Sequence, residues 1–225
     1  ESFRRHLEEV EPAAETLSAP GFFGVAMYHK GALDAHPRPL CPVVIRPEHY
    51  VPEVFDDAGV ISDWSRSAHR RAAGFLGYNV HVESRTMFRG AVLSTVFGWV
   101  LLVPLVFRVV FPWLASRWQR TIHATTVRNR TKLLVANDDA STPAGTHVGY
   151  SIDEMCVIVR RLVEDIGLVG RLSRLVIIVG HGSISLNNPH ESAHDCGACG
   201  GGRGGPNARA FAQMANHAEV RARLA

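Results

Sequence analysis

The sequence predicts an α/β fold with a parallel or mixed sheet and a helical insertion, and three stretches carry that expectation. From Ser151 an amphipathic helix leads through a short basic turn into the unbroken apolar run Leu175-Val176-Ile177-Ile178-Val179. That order is the pattern of a helix feeding a strand covered on both faces. Near the start, Gly21-Phe22-Phe23-Gly24-Val25-Ala26-Met27-Tyr28 has the composition of a buried strand with close backbone approach at its glycines. Between the two, Gly90 to Phe107 carries no charged residue and reads as helix. Three regions follow: an N-terminal α/β segment over 1–63, a helical insertion over 64–130, and an α/β segment over 131–225 that holds a glycine-rich loop.

In order along the chain, Glu1 to Glu9 is a short polar helix, then comes the Gly21–Tyr28 run. A proline-rich stretch follows with Pro37, Pro39, Pro42, Pro47 and Pro52, in which Val43-Val44-Ile45 can form a short edge strand. The second region, helical from Trp64 to Trp118, contains the uncharged segment. By length that segment reaches the lower limit of a membrane span, but Pro104, Arg108 and Pro112 argue against one. It is expected to be buried, to lie on a membrane surface, or to pack on a membrane partner without spanning. Residues 129–148, with Asn137-Asp138-Asp139 and Ser141-Thr142-Pro143-Ala144-Gly145, read as a polar connector.

The third region is the most legible. Ser151 and Glu154 form a capping box. Ile152, Met155, Cys156, Val159, Leu162, Val163 and Ile166 make one helical face, and Gly167 stands where a C-terminal cap belongs. Cys156 on that face is a small core hydrophobe. His181 follows the apolar run, at the strand end where open α/β sheets bring ligands.

Composition narrows the function classes. At 46% hydrophobic and 20% charged residues the chain has ordinary globular chemistry. A net charge of +3, spread without a dense basic run, does not make a nucleic-acid footprint. Four cysteines in a chain of 225 residues, with no secretory leader, point to a reducing cytoplasmic setting. Without an initiator methionine, the chain is expected to be a fragment.

The chemistry concentrates after Gly180. His181, His190, His194, Cys196 and Cys199 fall within one glycine-rich loop, and imidazole and thiolate are the preferred zinc ligands. His181 and Cys196 are the two firm candidates. Cys196-Gly-Ala-Cys199 can also be a redox dithiol, or can join two histidines in a structural zinc site, although a redox pair usually opens a helix and this one sits in polyglycine. The loop runs through Arg203 and Asn207 into a helix expected over 208–224. Pro206 lies in its first turn, where free amides can hold an anion such as bicarbonate or simply seal the site.

At these residues the sequence resembles the DabA family. Val179-Gly-His-Gly-Ser, Asn-Asn-Pro-His-Glu-Ser-Ala, Asp-Cys-Gly-Ala-Cys-Gly-Gly and Gly-Gly-Pro-Asn-Ala-Arg match its closing signature. Ser2-Phe-Arg-Arg-His-Leu-Glu, Gly21-Phe-Phe-Gly-Val, Cys41-Pro and Gly149-Tyr-Ser-Ile-Asp-Glu follow the family order more loosely. The resemblance implies a sheet and zinc site like those of β-carbonic anhydrases, with His181 and Cys196 as ligands and Cys199, Arg203 and Asn207 in supporting or anion-binding roles. It further implies zinc-dependent hydration of carbon dioxide to bicarbonate within an energy-coupled inorganic carbon pump. The subunit would be peripheral on the cytoplasmic side of the inner membrane, beside an integral membrane partner resembling DabB. A Cys-x-Asp-x-Arg motif that would complete the ligand set is absent, so these residues alone are expected to bind zinc loosely and not to hydrate carbon dioxide. A non-catalytic zinc module and a thiol redox protein are the alternatives.

Overall fold

The computed structural model describes residues 2–32, 34, 36–55, 72, 86–115, 117, 131–136, 147–182 and 202–225, and at 2, 93, 101, 104 and 108 the backbone alone. It is a mixed α/β structure, as the sequence predicts. The elements run α1 (Ser2–Val10), β1 (Met27–Lys30), β2 (Arg38–Leu40), β3 (His49–Phe55) and α2 (Met87–Val110). They continue with β4 (Thr131–Leu133), β5 (His147–Val148), α3 (Ile152–Asp165), α4 (Gly205–Asn216) and α5 (Ala218–Leu224).

The strands form one sheet in the order β2-β1-β3-β4, with β5 also on β3. β3 organises it. One edge of β3 takes β1 in parallel, Met27 opposite His49 and Lys30 opposite Pro52. Along the other edge β5 pairs in parallel with His49 and Tyr50, and β4 pairs antiparallel with Glu53 to Phe55. β2 closes the far side antiparallel to β1, Leu40 opposite Met27. Sheet and helices share one core of Val25, Met27, Val51, Met155, Phe211, Met214 and Val220 with their neighbours.

Helix α3 forms for local reasons. The Ser151 hydroxyl accepts from the Glu154 amide and the Glu154 carboxylate accepts from the Ser151 amide, so the capping box is complete. At the other end Leu168 N–H reaches the Val163 carbonyl and Gly167 N–H the Glu164 carbonyl. Gly167 takes the left-handed conformation this ending requires, at φ 73°. Met155, Cys156, Val159 and Leu162 are buried, as the periodicity predicts.

Several expected elements are corrected. Gly21–Gly24 is a turn, with Phe23 at φ 53° and Gly24 at φ 72°, so the strand starts only at Met27. Val43-Val44-Ile45 is an exposed turn, and the edge strand is β2. The connector over 129–148 contains β4 and β5, too short to show a pattern; its residues 137–146 lie outside the described residues. The terminal helix begins at Gly205 and breaks at His217, whose ψ of 128° ends α4 and starts α5.

The run Leu175–Val179 forms no strand with any described residue. Pairing needs a neighbouring strand, and none of the described strands stands beside it. The insertion is helical where it is described, and 64–71, 73–85 and 118–130 lie outside the described residues. Helix α2 is exposed along much of its length: Phe88, Trp99 and Val103 are 86%, 82% and 69% exposed. Among the described residues no helix is long and apolar enough to cross a membrane.

Candidate functional site

His181 stands where the Leu175–Val179 run meets the start of α4. Its backbone carbonyl accepts a hydrogen bond from Gly204 N–H at 2.8 Å. Three glycines allow this approach. A Cβ on Gly180 would lie 2.2 Å from the Gly204 carbonyl oxygen, and one on Gly204 would lie 2.4 Å from that of Gly21. A Cβ on Gly21 would strike the His181 ring, 2.5 Å from Nε2. The Nε2–Cδ2 edge of the imidazole therefore lies close to the bare Gly21 backbone, and neither ring nitrogen has a hydrogen-bond partner among the described residues. The close approach read into the Gly21 region is real, but it is made by a turn rather than a strand.

The residues around His181 have separable duties. Arg203 lays its stem along Gly182, 3.0 Å from Cγ to where a Cβ would stand. Asn207 is 2% exposed and donates its side-chain amide to the Val25 carbonyl at 2.7 Å and the Leu40 carbonyl at 2.9 Å. It thus ties the first turn of α4 to Val25, two residues before β1, and to the end of β2, with both amide hydrogens engaged. Pro206 fits this turn because it has no N–H to satisfy. The space lined by Gly21, Phe22, Leu40, Arg203, Gly204 and Asn207 is about 10 Å³, at the limit for one water.

Cys196, Cys199, His190 and His194 lie outside the described residues. No group of three or more histidine, cysteine or acidic side chains suited to a metal occurs among the described residues. The donor that is described, an exposed imidazole without a hydrogen-bond partner among the described residues, is of the type zinc takes.

A second polar cluster gives no signature in the sequence, because its members are far apart in it. Glu53 at the end of β3 accepts from Arg209 Nη1 at 2.6 Å, from the Thr131 hydroxyl and from the Ala32 amide at 3.4 Å. Burial pushes the Glu53 carboxyl up, but the Thr131 and Arg209 hydrogen bonds, the Arg209 charge and the Ala32 amide outweigh it. The carboxyl titrates below its ordinary value. Beside the cluster, Lys30, Gly31, Ala32, Asp34, Tyr50, Pro52 and Glu53 line an open cavity of about 420 Å³. His29, 3% exposed with Nδ1 3.2 Å from the Val51 carbonyl, is held below its ordinary pKa chiefly by burial. His49 sits between the Gly149 carbonyl at 2.9 Å and the Glu154 carboxylate at 3.2 Å, its ring against Tyr150.

Comparison with known proteins agrees across the whole chain. The family model described as "Probable inorganic carbon transporter subunit DabA" matches residues 1–225. A protein of Rhodopirellula baltica named probable inorganic carbon transporter subunit DabA 2 is 48% identical over 228 residues, covering 100% of this chain and 21% of that protein. Probable DabA subunits of Parafrankia sp. and Methylococcus capsulatus are 40% and 39% identical, again over 100% of this chain and 22% and 21% of their own lengths. No solved structure matches. The chain thus spans about a fifth of the length of these relatives, and with a family model matched end to end it belongs to the DabA family.

Proposed function

We propose that this chain is part of an inorganic carbon transporter subunit in which His181 and Cys196 hold a zinc ion used to hydrate carbon dioxide to bicarbonate. The observation that carries the reading is the presentation of His181: an imidazole with free nitrogens on a backbone fixed by Gly204 and Gly21. Zinc supplies Lewis acidity, bringing the pKa of a water to about 7 so that it can attack carbon dioxide. The chain's own residues hold and orient. Gly204 fixes the His181 main chain, Gly21 leaves room for the ring at its Nε2–Cδ2 edge, and Asn207 keeps α4 against the sheet so that both stay in register. Arg203, its stem against Gly182 one residue from His181, is the cation we assign to attract bicarbonate. The ligands beyond His181 and Cys196, and Cys199 as a support, come from the loop and from the rest of the subunit.

The relatives' names describe a subunit, so a partner belongs to this reading: an integral membrane protein resembling DabB on the inner membrane, with this chain on the cytoplasmic side. The exposed apolar side chains of α2 support a peripheral attachment through that helix. In the full-length subunit, His181→Ala or Cys196→Ala is expected to abolish stoichiometric zinc and carbon dioxide hydration, while Cys199→Ala retains most of the metal. Full zinc occupancy in either of the first two variants, measured by native mass spectrometry, refutes the assignment. Zinc loss from all three variants in a subunit that never hydrates carbon dioxide would indicate a structural site instead.

A further inference from the structure

Among the described residues, Phe23 alone combines a side chain with a left-handed backbone, at φ 53°. A Cβ in that region crowds the carbonyl that follows, and a bulky residue adopts it only under constraint. The next residue, Gly24 at φ 72°, takes the same region freely. Together the two reverse the chain. Phe23 N–H donates to the Pro20 carbonyl at 2.9 Å, and Val25 N–H donates to the Phe22 carbonyl at 2.8 Å. The exit of this double turn is pinned from two sides. Asn207 donates to the Val25 carbonyl, and the Tyr150 hydroxyl donates to the Ala26 carbonyl at 2.8 Å. Gly21 lies inside the bend, where its main chain meets both the His181 ring and Gly204.

We propose that Phe23 is a positioning residue for His181, holding the bend that sets Gly21 as a wall beside the imidazole. Glycine would take the Phe23 conformation without strain, so the phenylalanine must supply something that glycine lacks. What it supplies is an anchor. Its side chain is 7% exposed, and its ring centroid lies 6.4 Å from that of Phe211, within the range of a packed aromatic pair. Phe211 belongs to α4, the helix that starts beside Gly204, and Gly204 N–H holds the His181 carbonyl. The ring of Phe23 thus joins the Gly21 wall to the same helix that fixes the His181 main chain. Imidazole and wall move as one unit, and the wall limits the sweep of the ring on its Nε2–Cδ2 side. A donor held in one orientation binds a metal without first losing rotational freedom. The use of this placement for zinc rests on the zinc reading; the placement of the ring does not.

The test uses the purified full-length subunit. Phe23→Gly relieves the strain and removes the anchor, so the turn loses its fixed place beside His181. This variant should bind zinc about ten- to a hundredfold more weakly in competition with a chelator, the range for residues that orient a metal ligand. Cobalt(II) put in place of zinc should show altered absorption bands, which read ligand geometry rather than stability. Leu162→Ala, a truncation of the same core on α3, is the control: it should lower stability and leave zinc affinity and the cobalt bands as in the parent. Should Phe23→Gly fail to fold, Phe23→Leu keeps an apolar side chain in the core and should shift both readouts in the same direction. His181→Ala tests the zinc reading separately. If that variant keeps its zinc, the zinc reading falls, and carbethoxylation of His181 by diethyl pyrocarbonate, followed by peptide mass spectrometry, decides the placement: it should be faster in the Phe23 variant than in the parent. Parent-like zinc affinity and cobalt bands in the folded Phe23 variants overturn the proposal, as does a parent-like carbethoxylation rate where the zinc reading has fallen. Equal changes in Leu162→Ala also overturn it, because Phe23 would then act only through the stability of the core.

Discussion

Replacing Asn207 by alanine removes two donors at once, and its consequence can be worked from the geometry. The Asn207 amide spans the Val25 and Leu40 carbonyls at 2.7 and 2.9 Å, and Val25 and Leu40 are 0% and 3% exposed. Each buried acceptor left without its donor costs about 1–2 kcal/mol, so the pair costs about 2–4 kcal/mol. The loss falls on the contact between α4 and the sheet. In the full-length subunit it should therefore appear as faster amide exchange across Gly205–Asn216, by about thirty- to a thousandfold at one decade per 1.4 kcal/mol. Asn207→Asp should be at least as damaging, because it sets a carboxylate against two carbonyl oxygens. If exchange across α4 in Asn207→Ala stays within about threefold of the parent, Asn207 does not hold the helix and the reasoning fails.

Two further outcomes follow from the same structure. Gly180→Ala should cost about 1–3 kcal/mol, because the new methyl meets the main chain of Gly204 and Gly205, which has no side chain to yield; exchange at the Gly204 amide should accelerate, and an unchanged rate would refute the close approach. Glu53 titrates lower folded than unfolded, so its contribution is fully present above its unfolded pKa near 4.5 and is lost as pH falls through the lower folded value; Glu53→Gln should flatten the acid dependence of exchange in β3 and β4, and an unaltered profile would refute the role.

What the sequence reveals is what local chemistry determines. The α3 capping box, its buried face and the Gly167 ending are decided within about a turn of chain, and each is legible from residue type alone. β4 and β5 are decided instead by β3, far away in sequence, and with three and two residues they show no period to read. The Gly21 stretch shows both sides of this. Its glycines signal close approach, which is made to His181 and Gly204, but the choice of turn over strand depended on Phe23 adopting φ 53°. At the site, His181 is legible because a strand-like run ends there. The Glu53–Arg209–Thr131 cluster is not, because only the sheet brings those residues together.

The meeting of Gly21, Gly180 and Gly204 has a kinetic consequence. Residues 22–203 lie between the first and the last of these glycines, so their contact closes a loop of very high sequence separation. Contacts of such high sequence separation are entropically expensive to nucleate and arise after the local ones. Helix α3, capped by neighbours, can form as soon as it is synthesised, whereas His181 meets both Gly21 and Gly204 only once every residue from 21 to 204 is present. A nascent chain therefore carries the imidazole without its support until Gly204 has been made, and ion capture before then would precede the fixed geometry.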